Sequence, residues 1–172
     1  FSDADGAETL TYSATLSDGS DLPSWLSIDS STGVLSGTPE NDDVGSIDVT
    51  ITATDSQSVS VNDTYTLTVN NTNDTPTVST TIPDNFINDD APYSYEVSSH
   101  FSDVDSGEIF TYSATLSDDS ALPSWLSIDS TTGVLSGTPE NDDVGVIDVK
   151  VTATDTGNAS VSDTFSITVN SV

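Results

Sequence analysis

The 172-residue chain carries 29 acidic residues against a single basic one, Lys150, so its formal net charge is −28. This balance argues against nucleic-acid binding, which needs clustered Lys and Arg, and equally against anionic membrane surfaces. The chain has no cysteine, and no apolar stretch is long enough to insert into a membrane.

The chain repeats itself at an offset of 100 positions. By direct count, 51 of the 70 positions in 1–70 are identical in 101–170, with no insertion. Two copies of ordinary domain size indicate a modular array, and such arrays serve reach, spacing or adhesion rather than turnover. We assign residues 1–70 to a first repeat domain, 71–76 to a linker and 77–172 to a second repeat domain.

Apolar residues alternate with Ser and Thr in three runs of the first copy, Leu10–Leu16, Ile47–Ala53 and Tyr65–Val69. The second copy repeats them at 112–116, 147–153 and 165–169. This period of two is typical of half-buried antiparallel strands, and no segment has a helical period. Between the runs, Asp29–Gly33 predicts a turn that closes with a left-handed glycine. The sequence therefore predicts an all-β fold of tandem sandwiches.

The two copies are not equally complete. The segment Pro76–His100 precedes the second copy and carries two predicted strands, around Thr77–Ile82 and Tyr93–Val97, whereas nothing equivalent precedes Phe1. The first sandwich is therefore expected to lack its opening strands and to expose an unpaired edge. Either the chain is a fragment of a longer array, or another chain supplies the missing strand.

Oxygen-bearing side chains form three clusters per period. Calcium prefers six to eight oxygen ligands from carboxylates, amides and main-chain carbonyls, so these clusters predict bound Ca²⁺. Three other interpretations remain open: a solvated acidic surface, a disordered chain, or turn residues that bond their own backbone. The clusters are Asp3, Asp5 and Glu8, matched by Asp103, Asp105 and Glu108; Asp55, matched by Asp155; and Asn71, Asn73 and Asp74 of the linker.

Several motifs resemble those of cadherins. Asp103-Val104-Asp105 is similar to the cadherin D-x-D segment, Ile128–Leu135 to the I-D-x-x-T-G-x-I hairpin, and Ala153–Gly157 to A-x-D-x-G. The linker Asn71–Pro76 matches D-x-N-D-x-x-P loosely. The runs Leu-Pro-Ser-Trp-Leu-Ser-Ile-Asp and Leu-Ser-Gly-Thr-Pro-Glu-Asn-Asp-Asp-Val-Gly, each present twice, resemble dystroglycan-type cadherin-like and immunoglobulin-like modules of large bacterial surface proteins and adhesins.

This resemblance implies tandem Greek-key β-sandwiches at the cell surface or otherwise outside the cell, with calcium between consecutive domains. By position, Asn71, Asn73 and Asp74 would meet Asp103, Asp105 and Asp155. The first module would contribute from the segment Glu40–Asp43, including Glu40 and Asp42, although the arginine of the corresponding cadherin segment is absent. Gln57 stands where the motif has Gly, so Asp3, Asp5 and Asp55 are expected to hold an ion with fewer ligands, or none.

The leading hypothesis is a calcium-rigidified structural or adhesive repeat of a large extracellular surface protein, with neighbouring repeats as its partners. One alternative is a filament subunit completed by strand donation between identical chains. Another is a module that binds surface glycans or peptides, for which Tyr93 and Tyr95 are the nearest aromatic candidates, although their alternation predicts strand core. An enzyme is not expected, because the single histidine, His100, has no copy in the first repeat and no nucleophile motif is present.

Overall fold

A computed structural model describes residues 9–172, so Asp3, Asp5 and Glu8 of the predicted first site lie outside the described residues. The chain divides into two compact units, Phe1–Thr72 and Asn73–Val172. Across residues 9–172 the regular structure is β-strand, apart from three single-turn 3-10 helices at Asn41–Asp43, Ser98–His100 and Asn141–Asp143. The described residues include no helix that is long and apolar enough to cross a bilayer.

Among residues 9–72, the first unit has two antiparallel sheets. One is three-stranded in the order β1-β4-β5, and the other is the pair β2-β3. Of the residues described in this unit, the buried apolar ones are Leu26, Val49 and Ala53. The predicted alternation is confirmed, and the two long strands extend further than the apolar runs at one or both ends. The strands are β1 (Thr11–Leu16), β2 (Leu26–Ile28), β3 (Leu35–Gly37), β4 (Gly45–Thr54) and β5 (Ser60–Val69).

The second unit repeats this plan and adds strands to it. Its larger sheet has the order β10-β13-β14-β7, its smaller sheet the order β11-β12-β8, and β6 pairs with β9. The strands are β6 (Thr77–Val78), β7 (Asn85–Asn88), β8 (Tyr93–Glu96), β9 (Phe101–Ser102), β10 (Thr111–Leu116), β11 (Leu126–Ile128), β12 (Val134–Gly137), β13 (Gly145–Thr154) and β14 (Ser160–Asn170).

The core of the second unit is formed by the inner faces of both sheets. Leu126, Leu135 and Tyr93 come from the smaller sheet, and Val149 and Ile167 from the larger one. Burying alternate residues of two facing sheets is the arrangement of a β-sandwich. The predicted all-β fold with β-sandwich packing is therefore confirmed.

The turn after β2 follows the predicted chemistry. Oδ1 of Asp29 accepts the Ser31 hydroxyl at 2.6 Å and the Thr32 N–H at 2.8 Å. Gly33 closes the turn with φ of 73°, a left-handed conformation, and a Cβ at this position would press against the Tyr12 ring at 3.1 Å. The predicted left-handed glycine is confirmed, and the second unit repeats it at Gly133.

The opening segment of the second unit differs from the prediction. The sequence predicted two strands, and the structure also contains β7, which pairs in parallel with β14. Its residues Asn85-Phe86-Ile87-Asn88 lie between polar and proline residues, and only two of the four are apolar, too few to show a period. In the first unit, β5 has β4 as its sheet neighbour among the described residues. That the first sandwich lacks its opening strands stays a prediction.

Candidate calcium-binding site

One end of the second unit gathers several of the predicted ligands. Asp103 and Asp105 follow β9, and Asp155 follows β13. Because β6 pairs with β9, the segment that leads into β6 runs beside the Asp103–Asp105 loop. The N–H of Asp74 donates to Oδ2 of Asp105 at 2.9 Å, and the side-chain amide of Asn73 donates to Oδ2 of Asp155 at 2.9 Å.

Two carboxylate oxygens at this edge are buried without a hydrogen-bond partner. They are Oδ1 of Asp105 and Oδ2 of Asp103. Asp105 is only 6% exposed, and its own N–H donates to Oδ1 of Asp103 at 2.9 Å, which holds the two side chains in one turn. A buried charge without a partner is costly, so these two oxygens are candidate ligands for a cation.

The Asn73 side chain approaches the Asp155 turn closely because residue 157 is glycine. A Cβ on Gly157 would overlap the Asn73 side-chain oxygen. Asp155 is 5% exposed, and its Oδ1 accepts the N–H of Ala159 at 2.7 Å, so the carboxylate both shapes the turn and faces Asn73. The glycine of the A-x-D-x-G motif thus makes room for the linker amide.

Glu108 lies beside the same turn. Its carboxylate accepts the N–H of Thr156 and, at 3.1 Å, the Thr156 hydroxyl. It therefore fixes the backbone next to Asp155. Asp103, Asp105, Asp155, Asn73, Asp74 and Glu108 all belong to this end of the second unit.

The first-unit candidates are engaged differently. Oδ1 of Asp55 accepts the N–H groups of Gln57 and Val59, each at 2.8 Å, which is the turn role left open by the sequence. Glu40 forms a capping box with Asp43 around the 3-10 helix, which explains both acids structurally. Asp42 and Asn71 are exposed.

In the part of the chain that the structure describes, no three Asp, Glu, His or Cys side chains converge as a metal-binding group. The candidate ligands in the second unit are instead two neighbouring aspartates together with amide and main-chain oxygens. Calcium also accepts amide and main-chain oxygens as ligands. The assignment of individual ligands stays a prediction.

One buried acid was missed by the sequence interpretation. Asp89 is 2% exposed, its Oδ1 accepts the N–H of Val172 at 3.0 Å, and its Oδ2 has no partner. It lies in the segment of the second copy that has no counterpart at the repeat offset, so comparing the two copies could not reveal it. The residues before it, Asn85-Phe86-Ile87-Asn88, show no period, so the sequence offered no signal for its burial.

The aromatic candidates for a glycan site are part of the core. Tyr93 is buried, and burial raises the pKa of its hydroxyl well above the usual range. Tyr95 is half-buried and packs against the core cluster, with its hydroxyl within 3.0 Å of Nε2 of His100. The prediction that these tyrosines are strand core is confirmed.

The two-sheet core and the acidic end loops define the class of this protein, a tandem of cadherin- and immunoglobulin-like β-sandwich modules. The chain belongs to the family described as "Putative Ig domain", which matches residues 1–70 and 75–170.

A curated relative is the "Serine-rich adhesin for platelets" of Staphylococcus aureus, strain USA300. It is 34% identical over 166 residues, which is 93% of this chain and 6% of the relative. The chain thus spans a small part of that adhesin's length. The predicted extracellular, cell-surface location agrees with this relative.

Two solved cadherin structures share the fold. Mouse Cadherin-23 EC22-24 aligns with a TM-score of 0.68 at 19% identity, over 94% of this chain and 54% of that one. The extracellular cadherin domains 3-6 of Protocadherin Gamma B2 align with a TM-score of 0.67 at 21% identity, over 95% of this chain and 44% of that one. At these identities the structural likeness shows the fold alone. Together with the family match, it confirms the resemblance to cadherin-like and immunoglobulin-like modules.

Proposed function

We propose that this chain is a calcium-stiffened repeat of a large adhesive surface protein, in which it spaces or presents an adhesion region. The observation that carries the proposal is the pair of buried, unpartnered oxygens, Oδ1 of Asp105 and Oδ2 of Asp103. Membership of the family and the adhesin relative support the adhesive context. The role is mechanical and not catalytic.

The donors at this end of the second unit suit calcium. Ca²⁺ accepts mixed carboxylate, amide and main-chain oxygens in a flexible geometry, whereas Mg²⁺ demands a near-ideal octahedron. Asp103 and Asp105 would supply the negative charge, with Asp155 and the Asn73 amide beside them. When bound, the ion supplies positive charge that offsets the desolvation of these carboxylates.

A cation here would also fix the segment that leads into the second unit. Asp74 and Asn73 are already bonded to the loops that carry the carboxylates. Asn71 of the linker and Glu40 and Asp42 of the first repeat stay candidate ligands that only the cadherin resemblance implies. Without metal, repulsion within a chain of net charge −28 favours a bending junction; with metal, the junction stiffens.

Thermal unfolding with and without metal tests the proposal. In millimolar Ca²⁺ the transition of the second unit should rise by about 10 °C over that in EDTA, because binding to the folded state alone adds stability. Mg²⁺ at equal ionic strength should give a smaller rise, and solution scattering should show longer maximum dimensions in Ca²⁺. An unchanged transition together with unchanged dimensions would defeat the proposal.

A matched pair of variants separates specific binding from general charge screening. Asp105→Asn removes one negative charge from the proposed site, and Asp21→Asn removes one from an exposed loop position of the first unit. The calcium-dependent rise should be lost in Asp105→Asn and kept in Asp21→Asn. Equal losses in both variants would show that the ion acts only by screening.

A further inference from the structure

The opening segment of the second unit lies against the last strand of that unit. Within this segment, β7 pairs in parallel with β14, so that Asn85 faces Ile167 and Asn88 faces Asn170. Because the pairing is parallel, both strands run in the same direction. The start of β7 and the end of β14 therefore lie at opposite ends of the strand pair.

This pairing determines how the second unit responds to a pulling force along the chain. The unit extends from Asn73 to Val172, so the force reaches β7 through its start and β14 through its end. The two strands are then drawn past each other along their common direction. The evenly spaced hydrogen bonds of a parallel pair carry such a force together, whereas strands pulled apart sideways would release their bonds one after another.

Carboxylate side chains add hydrogen bonds between the same two parts of the chain. Oδ1 of Asp84, directly before β7, accepts the N–H of Ser166 at 2.9 Å. In the other direction, Oδ2 of Asp163 accepts the N–H of Ile82 at 2.7 Å. Hydrogen bonds to an ionised acceptor are roughly twice as strong as neutral ones. Each side of the strand pair therefore holds the main chain of the other with a carboxylate.

The far end of the strand pair is bonded in a similar way. The N–H of Asp89 donates to the carbonyl oxygen of Asn170 at 2.9 Å, and the Asn170 side-chain amide donates to the carbonyl oxygen of Ile87 at 3.2 Å. Oδ1 of Asp89 accepts the N–H of Val172 at 3.0 Å, and Asp89 is buried. Side-chain hydrogen bonds therefore flank the short ladder of β7 and β14 at both ends.

Sliding of β7 along β14 would also open the core of the second unit. Ile82 is 4% exposed and belongs to the core cluster, and Ile87 packs against that cluster. The segment that carries these two side chains also carries Asp84. When the segment slides, both side chains leave the core and their apolar surface meets water. Separation of β7 from β14 therefore starts the unfolding of the whole unit.

We propose that the contact between β7 and β14, reinforced by the carboxylates of Asp84 and Asp163, is the force-bearing site of the second unit. It sets the rate at which the unit unfolds under tension, and the carboxylates add strength to a β7 strand of only 4 residues. The inference rests on the proposed function only for the origin of the tension, which a repeat of an adhesive surface protein transmits. It does not depend on calcium, because none of these residues belongs to the candidate calcium-binding site.

Single-molecule stretching of the full chain in EDTA tests the inference. The chain has no cysteine, so Thr75→Cys and Ser171→Cys, both at exposed positions, attach the pulling handles on the two sides of the contact. Under constant force, Asp84→Ala should raise the unfolding rate about fivefold and Asp163→Ala about tenfold, because each removes a bond that stays intact until the strands separate. Asp84→Asn keeps an oxygen acceptor and should recover most of the strength.

Asp129→Ala is the matched control. Oδ1 of Asp129 also accepts main-chain N–H groups, those of Thr131 at 2.9 Å and Thr132 at 2.8 Å, but within one turn and not between two strands. In urea unfolding, this substitution should lower the stability of the second unit as Asp84→Ala does. Under force it should leave the unfolding rate unchanged, because the turn is still formed when β7 and β14 separate.

The direction of pulling provides a second check. Handles at Thr131→Cys and Ser160→Cys do not draw β7 along β14, so Asp84→Ala should then leave the unfolding rate unchanged. The inference would be overturned if Asp129→Ala raised the rate as much as Asp84→Ala, or if Asp84→Ala had equal effects in both directions. Because no calcium is present, either result leaves the calcium proposal standing. Likewise, a missing effect of calcium on thermal unfolding would leave this inference standing.

Discussion

The side-chain amide of Asn73 donates a hydrogen bond to Oδ2 of Asp155 at 2.9 Å, joining residues 82 positions apart in the sequence. The same amide nitrogen lies 2.7 Å from the carbonyl oxygen of Asp74. It thus links a carboxylate and a main-chain carbonyl oxygen at this end of the second unit. Three of the predicted site residues are organised around this one contact.

Replacing Gly157 by Ala should break this contact. The new Cβ would displace the Asn73 side chain, so the second unit should lose about 1 kcal/mol of unfolding free energy and bind calcium more weakly. Urea unfolding and calcium titration measure the two effects.

A double-mutant cycle provides the control for Gly157. In an Asn73→Ala background, Gly157→Ala should cost almost nothing, because the group it displaces is gone. If the glycine substitution costs as much in that background, it acts on the turn itself and not through Asn73.

Asp105→Asn should have opposite effects with and without metal. In EDTA the variant should unfold at the same temperature as the parent or higher, because a neutral amide replaces a buried carboxylate with an unpartnered oxygen. In calcium it should melt below the parent, because the site has lost a charge. Differential scanning calorimetry in both buffers checks the sign, and a lower melting temperature in EDTA as well would point to a purely structural Asp105.

The two repeats should respond unequally to the same truncation. Ile167 is fully buried, so Ile167→Ala should destabilise the second unit by about 2–5 kcal/mol. Leu67 is half-buried at the equivalent place, and Leu67→Ala should cost the first unit less than about 1.5 kcal/mol. Urea titrations of the two variants give both values, and equal costs would contradict the difference in burial between Leu67 and Ile167.

Acid should remove the contribution that Asp29 makes to the folding stability of the first unit. Hydrogen bonds from the Ser31 hydroxyl and then from the Thr32 and Ser31 N–H groups lower the pKa of Asp29 from 3.8 to about 2. A carboxyl group whose pKa is lowered in the folded state stabilises the fold at any pH above its unfolded-state pKa. This stabilisation is lost as the pH falls through the folded-state pKa. The relevant window is therefore pH 4 to 2.

Asp29→Asn isolates this effect. Its amide oxygen accepts the same bonds without charge, so the variant should be less stable than the parent at pH 6, and the gap should shrink between pH 4 and 2. Urea midpoints across this range measure the gap. A stability difference between Asp29→Asn and the parent that stays constant from pH 6 to pH 2 would contradict the proposed linkage.

The sequence predicted the strands that alternate strongly and the turns that carry their own chemistry. The run Ile47–Ala53 and the Asp29–Gly33 turn need only local information, and both were predicted correctly. The short strand β7 was not, because its place is set by pairing with β14 across the sheet and not by its own pattern.

The candidate site was predictable in composition and not in geometry. Asp103, Asp105 and Asp155 were found from repeated spacing and a family resemblance. Which oxygen lacks a partner, and how closely Asn73 approaches the Asp155 turn, depend on how β6 and β9 pair. In the first unit Gln57 replaces the glycine of the motif, and Asp55 accepts the N–H groups of its own turn, which spacing alone could not reveal.

The most direct measurement is a crystal structure of the calcium-soaked chain, with anomalous scattering to identify the metal. An anomalous calcium peak should lie about 2.3–2.6 Å from Oδ1 of Asp105 and Oδ2 of Asp103. No peak there, with both oxygens bonded to water or to protein donors in the presence of calcium, would contradict the calcium proposal.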